Sequence, residues 1–251
     1  MSRGVLVTGA ARGVGRAVAT AFARQDDRVA VHYATSGADA EQTLAALPGD
    51  GHALVSGDLS DPRVVADVVA EADAVLGGVD VLVNNAAALW PAHPLPTTDY
   101  ADWCATWRSM LDVNLLAAAN AAHCVARRLI ERGRGGWIVN VGSRGAFRGE
   151  PDFPAYGASK AALHAVGQSL AVSLAPHGIS VTSVAPGFID TERVAGRLSE
   201  AEGASIRAQS PFGRVATPDE VAAAVRYLAS PEAVWSSGAV LDVNGASYLR
   251  T

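Results

Sequence analysis

Val5–Thr8 is a short, mostly β-branched run that passes without pause into Gly9-Ala-Ala-Arg12-Gly13-Val14-Gly15, and residues 17–24 then carry apolar positions at helical spacing. A strand that turns on glycine straight into a helix is the first half of a parallel βαβ unit. The same rhythm continues. Strands are predicted at Arg28–Tyr33, His52–Ser56, Val79–Val83, Trp137–Val141, Ile179–Val184 and Ala239–Val243. Between them fall helical stretches at Ser36–Leu47, from Asp61-Pro62 toward Leu76, from about Tyr100 to Arg132, at Ala155–Leu174 and at Pro218–Leu228. Pro62 suits a first helical position, and Thr217 is a good N-cap for the last helix. The pattern predicts an α/β chain: one doubly wound, seven-stranded parallel sheet with helices on both faces, built as a single domain over residues 1–251. Residues 188–213 break the rhythm with Gly, Ala and Ser, and read as a mobile lid over a substrate.

Composition narrows the function classes. Half the residues are apolar (49%) and few are aromatic (6%), which suits tight helix-on-sheet packing. The net charge of −5, with no long basic run, argues against nucleic acid as a partner. Arg127, Arg128, Arg132 and Arg134 cluster at a helix end, where cations suit the dipole. No apolar run reaches membrane-span length, and the chain enters its first strand with no leader, so a soluble, cytoplasmic protein is expected. Cys104 and Cys124 lack metal or disulfide spacing and read as free thiols. The six histidines form no ligand pattern, so no metal is expected.

The chemistry concentrates between Asn140 and Leu163. Tyr156 and Lys160 stand at i and i+4 and project from one helix face. Ser143 follows the strand Trp137–Val141, where a sheet delivers side chains to a crevice. An ammonium beside a phenol favours the phenolate, and a serine hydroxyl can hold a substrate oxygen next to it. That equipment moves a proton on or off an oxygen changing between carbonyl and alcohol. A tyrosine packed on an amphipathic helix beside a surface lysine would give the same spacing.

Glycines 9, 13 and 15 let backbone approach a pyrophosphate at a helix N-terminus, although βαβ turns also use glycine for purely structural reasons. An NAD site would place an acid near the end of strand two. That end reads His32-Tyr33-Ala34-Thr35-Ser36, with none. Arg12 in the turn can pair with a 2′-phosphate, and Tyr33, Thr35 and Ser36 adjoin it, so NADP(H) is favoured over NAD(H). The alternative is a solvated Arg12 and a packed His32.

Taken together, Thr8-Gly9-x-x-x-Gly13-x-Gly15, Asn84-Asn85-Ala86, Asn114, Ser143, Tyr156-x-x-x-Lys160 and Pro186-Gly187 resemble the short-chain dehydrogenase/reductase family over essentially the whole chain. Ala185-Pro-Gly-Phe-Ile-Asp-Thr191 and Val243-Asn-Gly-Ala-Ser-Tyr248 look like its 3-oxoacyl-carrier-protein reductase branch. The resemblance implies a Rossmann fold and a ketone reductase. Tyr156 would be the general acid, and Lys160 would bind the nicotinamide ribose and lower the tyrosine pKa. Ser143 would hold the substrate oxygen, and Asn114 a water that relays protons to Lys160. It further implies that Asp58 and Leu59 flank the adenine, that Asn85 and Ala86 line the nucleotide near its ribose, and that Pro186 and Gly187 belong to the cofactor site. Ile189 and Thr191 would touch the carboxamide. The family is usually tetrameric, so a homotetramer acting on a small carbonyl or alcohol substrate is expected, whether that substrate is free or held as a thioester.

Two departures stand out. Ala87 replaces the family's glycine, which matters if the position needs a positive φ. Of the two basic positions that dock an acidic carrier protein, Arg134 matches one but His177 stands at the other. The substrate loop 144–154 leaves a choice: Arg148 selects an anionic substrate, or it pairs with Glu150 or Asp152 at a surface or subunit contact. Trp90 and Phe188 are candidate pocket walls. Three competing readings remain: an NAD(P)-dependent alcohol or sugar dehydrogenase using the same residues, a non-catalytic nucleotide sensor, and a methyl transferase using S-adenosylmethionine.

Overall fold

In the computed structural model, which describes residues 2–88, 91–192, 194–199 and 202–250, seven strands lie parallel in one sheet. In chain order they are β1 (Gly4–Val7), β2 (Arg28–Tyr33), β3 (Ala53–Ser56), β4 (Val81–Asn84), β5 (Gly136–Val141), β6 (Ile179–Pro186) and β7 (Val240–Val243). The helices are α1 (Gly13–Ala23), α2 (Gly37–Ala46), α3 (Pro62–Leu76), α4 (Tyr100–Leu111), α5 (Ala117–Glu131), α6 (Pro154–Leu174), α7 (Ala195–Ser199), α8 (Gly203–Ala208) and α9 (Pro218–Leu228).

The alternation along each strand decides which helices cover which face. Val5, Val7, Val81, Val83, Val139 and Val141 point to one side, where they meet Val18 and Phe22 of α1 and Val221, Val225 and Leu228 of α9. Leu6, Leu82 and Ile138 point to the other, against Val65, Val69 and Leu76 of α3, Ala121 and Val125 of α5 and Leu174 of α6. Each buried Val, Leu, Ile or Phe among them contributes about 1.5–3 kcal/mol.

Strand order is β3-β2-β1-β4-β5-β6-β7. The chain winds outward from β1 in one direction through β2 and β3, then returns and winds in the other through β4. A crevice opens where the direction reverses, beyond the C-terminal ends of β1 and β4.

Local signals place the elements that frame it. Asp61 caps α3 by accepting from the Arg63 amide at 2.8 Å, Pro62 is the first helical residue, and Gly77 ends the helix at φ +64°. Thr217 and Glu220 form a reciprocal capping box at α9.

Several boundaries shift by a residue or two from the sequence reading, and three differences bear on the site. α1 begins at Gly13 rather than Ala17, because the Arg16 amide bonds the Arg12 carbonyl at 3.2 Å and draws the glycine turn into the helix. β4 runs to Asn84, whose amide donates to Asn140 of β5 at 3.0 Å. The long predicted helix is α4 and α5 joined through a π-helical turn at Asp112–Leu116, an insertion of a kind often found at functional sites.

Candidate active site

At the end of β1 the chain turns at Gly9 with φ +64°, a conformation that a side chain would strain. Three neighbours hold that turn. His32 Nδ1 accepts the Gly9 amide at 3.1 Å while His32 Nε2 donates to Gly57 O at 3.0 Å, which fixes the neutral tautomer. Asn85 Nδ2 donates to the carbonyls of Thr8 (2.9 Å) and Gly9 (3.0 Å). Thr8 Oγ1 accepts the amides of Asn85 and Ala86 at 2.9 and 3.0 Å. Gly15 must also lack a side chain, since a Cβ there would lie 2.2 Å from Gly9 O. Burial holds the His32 pKa below the usual histidine value, and its Gly57 bond opposes this only in part.

The cleft above this turn has a volume of about 570 Å³. Gly9, Arg12, Gly13, Val14 and Gly15 border it, as do Tyr33, Thr35, Ser36, Asp58, Leu59, Asn85 and Ala86. No side chain caps the N-terminus of α1, and its first turn holds no acid. Its backbone N–H groups therefore suit a pyrophosphate, and the cradle fits a dinucleotide cofactor. At the outer end, Arg12 Nη1 lies 3.9 Å from Asp39 across exposed surface.

At the inner end the cleft is bordered by Ser143, Tyr156, Gly187, Ile189 and Thr191. Ser143 ends the β5 excursion, and its Oγ accepts the Gly145 amide at 3.0 Å. Tyr156 stands in the first turn of α6, half-buried. Lys160 is buried behind it, its ammonium 5.9 Å from the phenol ring centre and donating to Val141 O at 2.8 Å.

Asn114 is buried at the π-helical turn; its Oδ1 accepts the Ala88 amide at 2.8 Å and its Nδ2 donates to Ser159 Oγ at 3.2 Å. Ser159 in turn donates to Tyr156 O at 2.8 Å, so Asn114 is tied to the helix that carries the tyrosine and lysine. Asn114, Lys160 and Pro186 do not border the cleft; they stand behind its wall. Ala87 keeps an ordinary φ, since the only non-glycine residues with positive φ among the described residues are Asp26 and Ala246. Its methyl group is therefore tolerated.

The substrate loop resolves differently from either sequence reading. Arg148 Nη1 donates to Gln209 Oε1 at 3.2 Å, and among the described residues it neither borders the cleft nor forms a salt bridge with Glu150 or Asp152. Arg144 and Phe188 are walls instead, together with Glu150, Asp152 and Phe153. Trp90 lies outside the described residues.

Beneath this loop His164 stacks on Phe147, with ring centres 5.2 Å apart. Neither of its ring nitrogens is hydrogen-bonded among the described residues. Burial lowers its pKa to about 4, and the nearby Ser143 backbone opposes this in part. Sequence reasoning missed His32 and Arg144 as site residues. The signals were positional: one is the neighbour of the glycine turn across β1 and β2, the other directly follows Ser143.

Among the described residues no group of three His, Cys, Asp or Glu is placed to hold a metal, and no helix is long and apolar enough to cross a membrane.

A family model described as Enoyl-(Acyl carrier protein) reductase matches residues 9–246. L-rhamnose 1-dehydrogenase (NAD(P)(+)) of Sphingomonas sp. (strain SKA58) is 36% identical over 98% of this chain and 96% of its own length. The 3-oxoacyl-[acyl-carrier-protein] reductase FabG of Escherichia coli (strain K12) is 36% identical over 97% of this chain and 96% of its own. A solved short-chain dehydrogenase from Burkholderia cenocepacia J2315, in complex with NADP, is similar at a TM-score of 0.88 and 32% identity, over 98% of this chain and 97% of that one. Such end-to-end agreement in sequence and in sheet leaves one assignment: this chain belongs to the short-chain dehydrogenase/reductase family of oxidoreductases.

Proposed function

We propose that the protein is an NADP(H)-dependent reductase that converts a ketone, of the 3-oxoacyl type or similar, to a secondary alcohol, with Tyr156 as general acid. The observation that carries this reading is that Tyr156 and Ser143 border the same cleft as the glycine turn, while Lys160 and Asn114 sit buried behind them. The bound cofactor supplies the hydride.

The chain's own residues do the rest. Ser143 Oγ holds the carbonyl oxygen and meets the charge that develops on it. Tyr156 gives that oxygen its proton. The Lys160 ammonium lowers the cost of the phenolate left behind and binds the ribose hydroxyls. Asn114 holds the water through which Lys160 recovers a proton. Ile189 and Thr191 set the face of the ring, and Pro186 shapes the backbone behind Gly187. The NADP(H) preference rests on Arg12, Tyr33, Thr35 and Ser36 at the outer end of the cleft, with no acid at the end of β2.

The whole chain acts as one domain, with residues 188–213 as the substrate lid. Arg134 and His177 lie beside the N-terminal ends of β5 and β6, the sheet edge opposite the cleft, which favours a free substrate over a carrier-bound one. Exposed Leu116, Val172 and Trp235 suit a homotetramer. Dehydrogenation of an alcohol or sugar would use the same groups in reverse.

A panel of ketones and alcohols run with NADPH, NADH and their oxidised forms tests the reading. Ketone turnover with NADPH at least about tenfold above NADH is expected. NADPH binding, seen as fluorescence enhancement, with no turnover of any substrate would instead make the protein a nucleotide sensor.

A further inference from the structure

Arg144 directly follows Ser143 and is buried, with 5% of its surface exposed. Its guanidinium carbon stands 5.1 Å from the centre of the Phe188 ring. Nη1 donates to Ser247 Oγ, and Nη2 donates to Gln209 Oε1 at 2.5 Å. Arg148 reaches the same Gln209 oxygen at 3.2 Å. Two cations thus converge on one neutral amide oxygen. A buried guanidinium is ordinarily matched by a carboxylate or phosphate, because removing its charge from water is costly. Among the described residues neither arginine forms a salt bridge.

The surroundings sharpen the point. Arg144 and Phe188 border both the main cleft and a second cavity of about 230 Å³. Arg214 borders that cavity too, but Glu220 already neutralises it at 2.6 Å. Burial and the positive charge of Arg148 both weaken Arg144's hold on its proton, and the charge of Glu150 opposes them in part. Elsewhere the cleft is bordered by Glu150, Asp152 and Glu192. An anion entering it is repelled by these acids, and Arg144 is the one buried cation among the described residues that border the cleft.

We infer that Arg144, assisted by Arg148, is a subsite for a carboxylate carried by the substrate, so that the substrate class is an oxo acid or the corresponding hydroxy acid. The inference rests on the carbonyl chemistry proposed above for Ser143 and Tyr156. Gln209 Oε1 holds the place of the substrate's carboxylate oxygen until the substrate displaces it. Exchanging a neutral acceptor for a charged one strengthens both guanidinium contacts. Arg144 then fixes the far end of a molecule whose carbonyl oxygen lies at Ser143. Because Gln209 belongs to segment 188–213, the same displacement reports to the lid that the substrate is in place.

The test pairs acids with their neutral forms: 2-oxobutanoate, acetoacetate and levulinate, each beside its methyl ester, with cyclohexanone as a neutral check. The holoenzyme should favour at least one acid over its ester in kcat/KM by about tenfold or more. Arg144→Met should reduce that ratio to near unity, and Arg148→Met should reduce it less. Gln209→Glu, which places a carboxylate on the two guanidiniums from within, should also collapse the ratio; it serves as the second variant if Arg144→Met folds poorly. Esters turned over as well as acids, or a ratio that survives Arg144→Met and Gln209→Glu, would overturn the subsite. No turnover of any ketone, cyclohexanone included, would instead indict the reductase reading. In that event calorimetric titration of levulinate onto protein saturated with NADP⁺ decides the subsite alone: binding lost in Arg144→Met upholds it, and no binding to the parent protein rejects it.

Discussion

His32 Nδ1 accepts the backbone amide of Gly9 at 3.1 Å, so the second strand holds the turn that follows the first. The bond needs an unprotonated Nδ1, and burial keeps the imidazole neutral. Replacement by phenylalanine keeps the volume and leaves the Gly9 amide without an acceptor. His32→Phe should weaken NADPH binding by about fivefold or more, measured by fluorescence titration. In the parent protein the affinity should hold steady above the ordinary histidine pKa and fall only well below it, as protonation turns Nδ1 from acceptor to donor.

Tyr156→Phe removes the proposed proton donor and leaves the glycine turn untouched. NADPH binding should persist while ketone reduction drops by about 10²–10⁴-fold. Turnover close to that of the parent enzyme would overturn the acid assignment.

Arg12 and Asp39 are both exposed and 3.9 Å apart, so the acid competes for the cation assigned to the 2′-phosphate. Arg12→Ala should raise KM for NADPH by about tenfold and change KM for NADH by less than about twofold. Asp39→Asn should move the NADPH value modestly the other way. Equal effects on the two cofactors would remove Arg12 from the 2′ position.

His164 makes acid stability a sharp reporter of the loop beneath Ser143. Its pKa falls from 6.5 to about 4 on folding, chiefly through burial. Between those values the unfolded chain binds the extra proton and the folded one does not, so stability rises with pH. The contribution is complete above about pH 6.5 and is lost progressively as pH falls toward 4, on the order of 3 kcal/mol in all. His164→Leu should flatten that part of the pH profile in urea denaturation. An unchanged slope would mean that the imidazole is already protonated in the native state.

The sequence made some of this legible and hid the rest for identifiable reasons. β2 at Arg28–Tyr33 and α9 at Pro218–Leu228 are where the apolar pattern and the caps put them, because each is bounded by residues whose local chemistry acts alone. Tyr156 and Lys160 were legible because helical spacing is a local property. The turn at Asp112–Leu116 was not: apolar periodicity runs through it, and the extra residue shows only in the backbone bonds. Nor were the partners of Arg144, since Gln209 and Ser247 are 65 and 103 positions away and meet it only once the sheet is wound. Arg148 drew attention by lying midway between Ser143 and Tyr156, but nearness along the chain says nothing about which way a loop side chain points.

The π-helical turn at Asp112–Leu116 also lets this helix hold one extra residue without losing its register. A residue added to an α-helix swings everything after it by about 100° about the axis. A π-helical turn takes up that residue in its wider winding, so excising one position here would restore regular winding and leave Ala121 and Val125 on the sheet face they cover. The turn that carries Asn114 to the back of the cleft is therefore separable from the register on which the packing of α5 depends. In this chain the proton relay proposed for Asn114 can be straightened out without unseating a layer of the core.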